Sequence, residues 1–271
     1  MLGAFLQAVR QAHPLIHCIT NYVTVNDCAN LLLAAGASPI MADAPEEAAE
    51  ITARSQGLTL NLGTLQAGRV PAMLASGRQA NRNGIPAVLD PVGAGASAFR
   101  TRTARQLLEE VRFAVIRGNL SEIQALAAGA GHPCGVDAGD RITPQTLDAA
   151  LELARQLARR TGAVVAVTGE TDLVTDGRAA FCIHNGHPMM RHVTGAGCQL
   201  SCLTAAFAAA SPGQTLQAAA AAVCAMGLCG EIAYARLAPQ EGNAAYRDKI
   251  LDTVYRLTPA QLEEGARYEL R

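Results

Sequence analysis

The stretch VTGAGCQLSC, residues 193 to 202, leads directly into the apolar run from Leu203 to Ala210. Its two glycines, Gly195 and Gly197, permit a tight turn, and the first N–H groups of the helix that follows have no partners within that helix. Such a helix N-terminus binds phosphate and other anions. A glycine-rich turn before a packed helix also occurs without a ligand, so this stretch predicts the turn and the helix and leaves the ligand open.

The overall composition describes a nearly neutral chain with very little lysine. The chain has 271 residues, half of them hydrophobic, and a net charge of -1, which predicts one domain over residues 1–271 and suggests neither a nucleic acid nor a membrane as partner. Lys249 is the only lysine, so neither the Gly-Lys-Ser/Thr of a Walker-type P-loop nor the strand lysine of protein kinases is present. Any phosphate chemistry must therefore use arginine, backbone amides and metal.

The cysteine pattern indicates free thiols in a reducing compartment. None of the eight cysteines forms a C-x-x-C pair or pairs with a histidine at zinc-finger spacing. The N-terminus lacks the basic start and continuous apolar core of a signal peptide, and the apolar segment Ala218–Gly230 is too short to span a bilayer, so we expect a buried helix there. These features predict a cytoplasmic protein. The cysteines are Cys18, Cys28, Cys134, Cys182, Cys198, Cys202, Cys224 and Cys229.

Short apolar or β-prone runs alternate with helical ones along the chain, which is typical of βα units around a mostly parallel sheet. The pattern predicts an α/β fold with helices on both faces of the sheet and further helices after Ser201. The predicted strands are 16–19, 38–41, 58–62, 87–89, 114–116, 164–167, 173–175 and 179–183, the last two joined by a turn at Asp176-Gly177. The predicted helices between them are 28–35, 45–55, 70–83, 103–110, 121–128 and 146–161.

Polar and small residues follow several of these strands, where ligands bind in open α/β sheets. Asp90 ends one strand and is followed by a glycine-rich turn, although a lone aspartate there is also a common turn former. Arg117 follows the next strand, and Asn119 or Ser121 can cap the helix after it. Glu122 lies in the first turn of that helix, where a capping carboxylate is the simpler interpretation.

Thr168-Gly169-Glu170 supplies a hydroxyl and a flexible glycine at a further strand end, where a plain turn is the alternative. Two carboxylates, an arginine, a threonine and a helix N-terminus form a set suited to Mg²⁺ and a nucleotide polyphosphate, since Mg²⁺ prefers oxygen ligands and keeps several waters. Composition and spacing thus favour phosphoryl transfer.

Six segments of the sequence resemble those of the hydroxyethylthiazole kinase family. They occur in the family's order and extend from about residue 14 to the C-terminal helices, so the resemblance covers nearly the whole chain. The segments are HCITNYVT at 17–24, PIMA at 39–42, DPVGAGA at 90–96, RGN with SEI at 117–123, VTGE at 167–170 and VTGAGCQLS at 193–201.

The resemblance implies an ATP-dependent, ribokinase-like kinase that phosphorylates the primary hydroxyl of 4-methyl-5-(2-hydroxyethyl)thiazole in thiamine salvage. It also implies a homotrimer whose active sites lie between neighbouring subunits. The implied site residues fall into three groups. Met41, Gly195, Asn21 and Val23 correspond to the thiazole contacts, Arg117, Thr168 and Asn119 to the ATP contacts, and Asp90 and Glu122 to the acidic positions associated with Mg²⁺ and phosphate.

Cys198 corresponds to the position where sugar kinases of the wider superfamily carry a catalytic aspartate. We expect its thiol to orient the substrate hydroxyl or take its proton late, with the helix N-terminus lowering the thiol pKa, while the amides from Gly195 to Gly197 stabilise the transferring group. A small buried cysteine without a chemical role is the alternative. The sequence departs from the family pattern at Ala196, Gln199 and Leu120, and none of these changes removes a backbone donor.

Two other functions are compatible with the same fold. A relative that dehydrates damaged, hydrated nicotinamide cofactors at the cost of nucleotide is expected to carry aspartate where this chain has Cys198. A non-catalytic nucleotide-binding protein would bind ATP without turnover, and the intact set of Asp90, Glu122 and the glycine turn argues against it.

Overall fold

The computed structural model describes residues 2–128, 142–143 and 145–271, and within these residues nine strands form a single sheet in the order β2-β1-β3-β4-β5-β6-β7-β8-β9. The first six strands in that order run parallel, and β7, β8 and β9 are added antiparallel at one edge. The strands are β1 (Leu15–Ile19), β2 (Ser38–Ile40), β3 (Gly57–Asn61), β4 (Ala87–Asp90), β5 (Val115–Asn119), β6 (Val164–Thr168), β7 (Asp172–Thr175), β8 (Ala180–Ile183) and β9 (Tyr268–Leu270).

Helices cover both faces of the sheet, as the sequence predicts. On one face α3 to α7 follow the parallel strands, and on the other α8 and α9 lie against the sheet with α1, α2, α10 and α11 packed around them. The helices are α1 (Gly3–Ala12), α2 (Val25–Ala35), α3 (Ala48–Arg54), α4 (Val70–Asn83), α5 (Ala98–Glu110), α6 (Leu120–Ala127), α7 (Leu147–Thr161), α8 (Ala196–Ala210), α9 (Thr215–Ala235), α10 (Asn243–Arg256) and α11 (Pro259–Gly265).

Each face of the sheet has its own hydrophobic core, because alternate residues of a strand point to opposite faces. In β1, Ile16 and Cys18 pack on the side of α8, and Ile19 packs on the side of α4. The predicted mostly parallel α/β architecture is therefore confirmed. The sheet brings the carboxyl ends of β1, β3, β4, β5 and β6 to one edge, where loop residues can meet.

Several predicted boundaries are wrong for local reasons. The strand predicted at 114–116 extends to Asn119, because Arg117 and Gly118 pair with Ala166 and Val167 of β6 and so continue the ladder. The helix predicted from residue 103 starts at Ala98, because the Ser97 hydroxyl accepts a hydrogen bond from the Arg100 amide and caps it. The edge strand β9 carries no clear alternation in sequence and was not predicted.

The long apolar helix α9 is buried, as predicted for residues 218–230, but it is longer than that segment. It has 21 residues, so by length and composition it could cross a membrane, which the shorter predicted segment could not. Helices α1, α8, α10 and α11 and strands β6 to β8 all pack against it. Its apolar surface is thus part of the core on one face of the sheet.

Candidate active site

Helix α8 begins at the carboxyl edge of the sheet with a turn that requires glycine. Gly195 is the N-cap and has φ +81°, a conformation that favours glycine, and a Cβ there would fall 2.2 Å from Cγ2 of Thr24. The first amides of α8 have no acceptor within the helix. The predicted turn and helix are confirmed, and the helix N-terminus faces the same edge as the ends of β4, β5 and β6.

Asp90, the last residue of β4, is fully buried at this edge. Its Oδ2 accepts hydrogen bonds from Nδ2 of Asn61 and from the hydroxyl of Ser201, both at 2.8 Å. Nη1 of Arg117 lies 3.7 Å from the same oxygen. The other oxygen, Oδ1, is buried and has no hydrogen-bond partner among the described residues. The Asp90 carboxylate is therefore held by hydrogen bonds to Oδ2, and its Oδ1 is available to bind a ligand.

Burial raises the pKa of Asp90 to about 6, since the charged form loses its hydration. The positive charge of Arg117 lowers it, and the negative charge of Glu122 raises it again. A carboxylate held in this way at a strand end is costly to bury, which is typical of functional sites.

Arg117 joins the neighbouring strands β5 and β6 at the site. Its Nη2 donates to the hydroxyl of Thr168 at 2.7 Å, and its guanidinium lies so close to Gly197 that a Cβ there would be 2.5 Å from Nη1. The two predicted ATP contacts, Arg117 and Thr168, are thus brought together beside the N-terminus of α8. The Gly169 amide donates to Asp172 at 2.8 Å and closes the turn after β6.

Asn119 and Glu122 form a capping box at the start of α6. Oδ1 of Asn119 accepts from the Glu122 amide, and Oε2 of Glu122 accepts from the Asn119 amide, each at 2.9 Å. Oε1 of Glu122 accepts from the Gly93 amide at 3.0 Å, so the carboxylate also holds the glycine turn after β4. The capping interpretation of both residues is confirmed.

The acidic residues fit a magnesium ion that is shared with phosphate and water. Among the described residues no group of three or more His, Cys, Asp or Glu side chains is arranged to hold a metal by itself. Mg²⁺ is usually held in kinases by one or two carboxylates, substrate phosphates and several waters, so a closed protein cage is not required. The unpartnered Oδ1 of Asp90, with Glu122 nearby, supplies that kind of ligand set.

Cys198 is buried in the first turn of α8 and is contacted by Asn21. Nδ2 of Asn21 donates to Sγ at 3.2 Å. Burial raises the pKa of the thiol, and the negative charge of Asp90 raises it further. The expectation that this pKa is lowered is therefore wrong, because burial and the nearby carboxylate raise it. Both effects favour the neutral thiol over the thiolate.

The predicted thiazole contacts are only partly enclosed within one chain. Asn21 is buried and Met41 is half-buried against the core, but Val23 is 57% exposed and its neighbour Tyr22 is 62% exposed. A cavity of about 570 Å³, lined by residues that include Arg112 and Pro212, lies at the opposite edge of the sheet, away from these residues.

The structure adds two buried residues to this edge that the sequence did not single out, Asn61 and Ser201. Asn61 is the last residue of β3, and the strand-end rule that selected Asp90 and Thr168 applies equally to it. Ser201 lies one turn into α8 and reaches Asp90 only because α8 crosses the sheet there. The described cysteines are all free and buried, whereas Cys134 lies outside the described residues.

Comparisons with known proteins give the family of this chain and agree with its fold. The hydroxyethylthiazole kinase family matches residues 6–260. A hydroxyethylthiazole kinase of Clostridium acetobutylicum is 51% identical over 271 residues, covering 99% of both chains. The structure of a hydroxyethylthiazole kinase from Pyrococcus horikoshii superposes with a TM-score of 0.90 at 36% identity, covering 100% of this chain and 98% of that one.

A more distant structure shares the fold alone. A ribokinase-like superfamily protein of Enterococcus faecalis superposes with a TM-score of 0.64 at 13% identity, covering 90% of this chain and 87% of that one. The mostly parallel sheet with helices on both faces is therefore ribokinase-like, as the sequence resemblance implies. The extent of the family match and the identity to curated relatives establish that this chain belongs to the hydroxyethylthiazole kinase family.

Proposed function

We propose that this protein transfers the γ-phosphoryl group of ATP to the primary hydroxyl of 4-methyl-5-(2-hydroxyethyl)thiazole, a step of thiamine salvage. Family membership supports the substrate and the reaction. The observation that carries the proposal is that Asp90, Arg117 and Cys198 lie together at the N-terminus of α8. They bring a carboxylate, a cation and a thiol that can orient the substrate hydroxyl to one place.

The triphosphate binds, in this proposal, beside Arg117 and Thr168. The guanidinium is hydrogen-bonded to Thr168 and lies over Gly197, so its charge is held next to the first amides of α8, which have no acceptor within the helix. These donors are fixed before the nucleotide arrives, and fixed dipoles stabilise developing negative charge without rearranging. Gly195 and Gly197 contribute by letting the backbone itself approach the phosphate. Asn119, exposed at the start of α6, completes the proposed ATP contacts.

Asp90 and Glu122 are the residues that would hold Mg²⁺. When bound, the ion neutralises phosphate charge and fixes the geometry of the triphosphate. Asp90 offers its unpartnered Oδ1, while Asn61 and Ser201 hold the carboxylate through Oδ2. Glu122 is held by the amides of Asn119 and Gly93, so its position is set by the backbone.

The thiazole alcohol binds between the loop after β1 and the end of β2, with Asn21, Val23, Met41 and Gly195 as its contacts. Its hydroxyl oxygen forms the new bond to phosphorus as the bond to the ADP oxygen breaks, and the hydroxyl proton passes late to an oxygen of the transferred phosphoryl group. A loose transition state needs little help from a base, so a neutral Cys198 suffices to orient the hydroxyl.

The assembled enzyme is proposed to be a cytoplasmic homotrimer of single-domain subunits with active sites at the subunit interfaces. The exposure of Tyr22 and Val23 beside the buried Asn21 supports this, since exposed large apolar residues at a binding site mark a surface that a partner covers. Light scattering coupled to gel filtration measures the subunit number, and a monomer at assay concentration would contradict the trimer.

Thiazole-dependent ADP release tests the proposed function. We expect ADP from ATP and Mg²⁺ with the hydroxyethylthiazole, and none with 4,5-dimethylthiazole, which lacks the hydroxyl. Asp90→Asn is expected to lower the rate at least a hundredfold, whereas Asp252→Asn, an exposed position on α10, keeps the wild-type rate. Equal ADP release with the hydroxyethylthiazole and with 4,5-dimethylthiazole would refute the assignment.

A further inference from the structure

We propose that Asn61 is a positioning residue. It fixes the position of the proposed thiazole site relative to the part of the active site that binds magnesium and phosphate. The inference rests on the proposed function. Asn61 is the last residue of β3, is 1% exposed, and pairs in the sheet with Asp90 of β4. It contacts Asp90 on one side and Asn21 on the other, so it lies between the proposed magnesium ligand and the proposed thiazole site.

The amide of Asn61 has one possible orientation. Its Oδ1 accepts from the backbone amide of Gly63 at 2.8 Å, and that N–H can only donate. Its Nδ2 therefore faces Oδ2 of Asp90, also at 2.8 Å. Turning the amide over would place two donors together at Gly63 and two acceptors together at Asp90. The hydrogen bonds to Asp90 and Gly63 thus fix the orientation of the Asn61 amide and the position of its Oδ1.

That oxygen in turn fixes Asn21. Nδ2 of Asn21 donates to Oδ1 of Asn61 at 3.1 Å and to Sγ of Cys198 at 3.2 Å. Oδ1 of Asn21 is occupied by the backbone amide of Thr24 at 3.2 Å and by its hydroxyl at 3.1 Å, so this amide also has a single orientation. A donor is therefore directed at the Cys198 sulfur through two amides of fixed polarity.

These contacts close into a ring. The hydroxyl of Ser201, one helical turn after Cys198 on α8, donates to the same Oδ2 of Asp90 that Asn61 contacts. The ring runs from Asp90 through Asn61, Asn21 and Cys198, along α8 to Ser201, and back to Asp90. It joins β3 and β4 to the loop after β1 and the N-terminus of α8, and so connects the proposed magnesium ligand Asp90 with the proposed thiazole contact Asn21.

A second observation shows that the ring is tightly fitted. A Cβ at Gly63 would lie 2.8 Å from Nδ2 of Asn21 and 2.9 Å from Oδ1 of Asn61, closer than a side chain can approach. The two amides can stack against the backbone only because residue 63 is glycine. Gly63→Ala is therefore expected to push both amides without removing any of their hydrogen-bonding groups.

The ring matters because phosphoryl transfer depends on alignment. A misplacement of about 1 Å between reacting groups can cost roughly a hundredfold in rate. Asn61 is not a proposed contact of the thiazole, of ATP or of the metal ion, so its loss is expected to lower kcat and leave KM for ATP nearly unchanged.

The test compares Asn61→Leu and Gly63→Ala with a matched control. Asn185→Leu removes another buried asparagine that bonds Gly265 and Glu231, far along the chain from the ring, and so controls for general loosening. We expect kcat to fall about tenfold to a hundredfold in Asn61→Leu, less in Gly63→Ala, with KM for ATP within twofold of wild type. The control keeps kcat within twofold.

The rate at which iodoacetamide alkylates Cys198, followed on its own peptide, provides a readout that needs no turnover. Cys198 is 8% exposed and its Sγ accepts from the Asn21 amide, and releasing that amide is expected to raise the alkylation rate several-fold in both ring variants and not in Asn185→Leu. If the wild type lacks thiazole-dependent turnover, the proposed function fails while this readout still tests the ring. Wild-type kcat in Asn61→Leu, equal losses in Asn185→Leu, or unchanged alkylation would each overturn the proposal.

Discussion

The guanidinium of Arg117 lies against the α carbon of Gly197, so close that a Cβ on residue 197 would be 2.5 Å from Nη1 and 2.6 Å from Nη2. Arg117 reaches this position from β5 and is held there by the Thr168 hydroxyl at 2.7 Å. The absence of a side chain at residue 197 therefore lets a positive charge and a helix N-terminus occupy the same place, which is what a triphosphate requires.

Gly197→Ala tests this relationship. The added methyl group must displace the guanidinium from Thr168 and from the start of α8, so we expect kcat/KM for ATP to fall at least tenfold, equivalent to about 1.4 kcal/mol. Gly68→Ala is the control, because a Cβ there has no described atom within 4 Å. Steady-state kinetics at varied ATP measure both, and equal values for the two variants would show that Arg117 does not need this space.

Cys198 can be tested by changing its chemistry in both directions. Cys198→Ala removes the group that orients the hydroxyl and is expected to lower turnover, whereas Cys198→Asp supplies the carboxylate of related sugar kinases and should retain or raise it. Asp90 lies near enough to raise the pKa of a group at position 198, which favours proton uptake by the new carboxylate. Equal rates for wild type and both variants would mean that residue 198 has no chemical role.

The buried side chain of His17 is expected to make the free energy of unfolding depend on pH. It is fully buried, its Nε2 donates to the Ala42 carbonyl at 2.6 Å, and its Nδ1 lies 2.8 Å from the Thr52 hydroxyl. Burial lowers its pKa below the ordinary value of 6.5. Below pH 6.5 the unfolded chain therefore binds more protons than the native one, and stability falls as the pH falls, by at most about 1.4 kcal/mol per pH unit.

His17→Gln removes this titration and keeps a donor for the Ala42 carbonyl. The loss of unfolding free energy between pH 7.5 and pH 5, measured by urea denaturation at one protein concentration, should be smaller in His17→Gln than in the wild type. An identical loss in both proteins would assign the acid sensitivity to other groups.

Replacing the buried Gln199 with an apolar residue is expected to stabilise the protein. The residue is 1% exposed and its Nε2 has no partner among the described residues, and an unsatisfied buried polar group costs about 1–3 kcal/mol. Gln199→Met, which keeps a long side chain and removes the polar amide, should raise the melting temperature and keep turnover within twofold. Gln217→Met, at an exposed position of α9, is the control for adding a methionine. A melting temperature that falls in Gln199→Met would indicate a partner for this amide in the assembled enzyme.

The sequence predicts the fold class and the edge of the sheet where the site lies, because both follow from hydrophobic periodicity and strand ends. It also predicts that Asp90, Arg117 and Thr168 follow or end neighbouring strands, and the parallel ladder brings them together. Arg117 itself lies within β5 rather than after it, because pairing with β6 extends the strand beyond its apolar run.

Other features depend on packing that no local pattern encodes. The pKa of Cys198 is raised by burial and by the charge of Asp90, and both are visible only in three dimensions, whereas the sequence shows only the helix N-terminus. Asn61 carries the same strand-end signal as Asp90, but its contacts with Asn21 and Asp90 arise from strands far apart in sequence. Ser201 reaches Asp90 because α8 packs against β3 and β4.

The most direct test of the proposed reaction follows the phosphoryl group itself. The purified protein is incubated with Mg²⁺, the hydroxyethylthiazole and ATP whose γ-phosphoryl oxygens carry ¹⁸O, and the products are identified by mass spectrometry. We predict that the thiazole alcohol gains one labelled phosphoryl group for each ADP formed. Label that appears only in inorganic phosphate, or ADP that forms while the thiazole keeps its original mass, would contradict the assignment of this protein as a kinase of the thiazole alcohol.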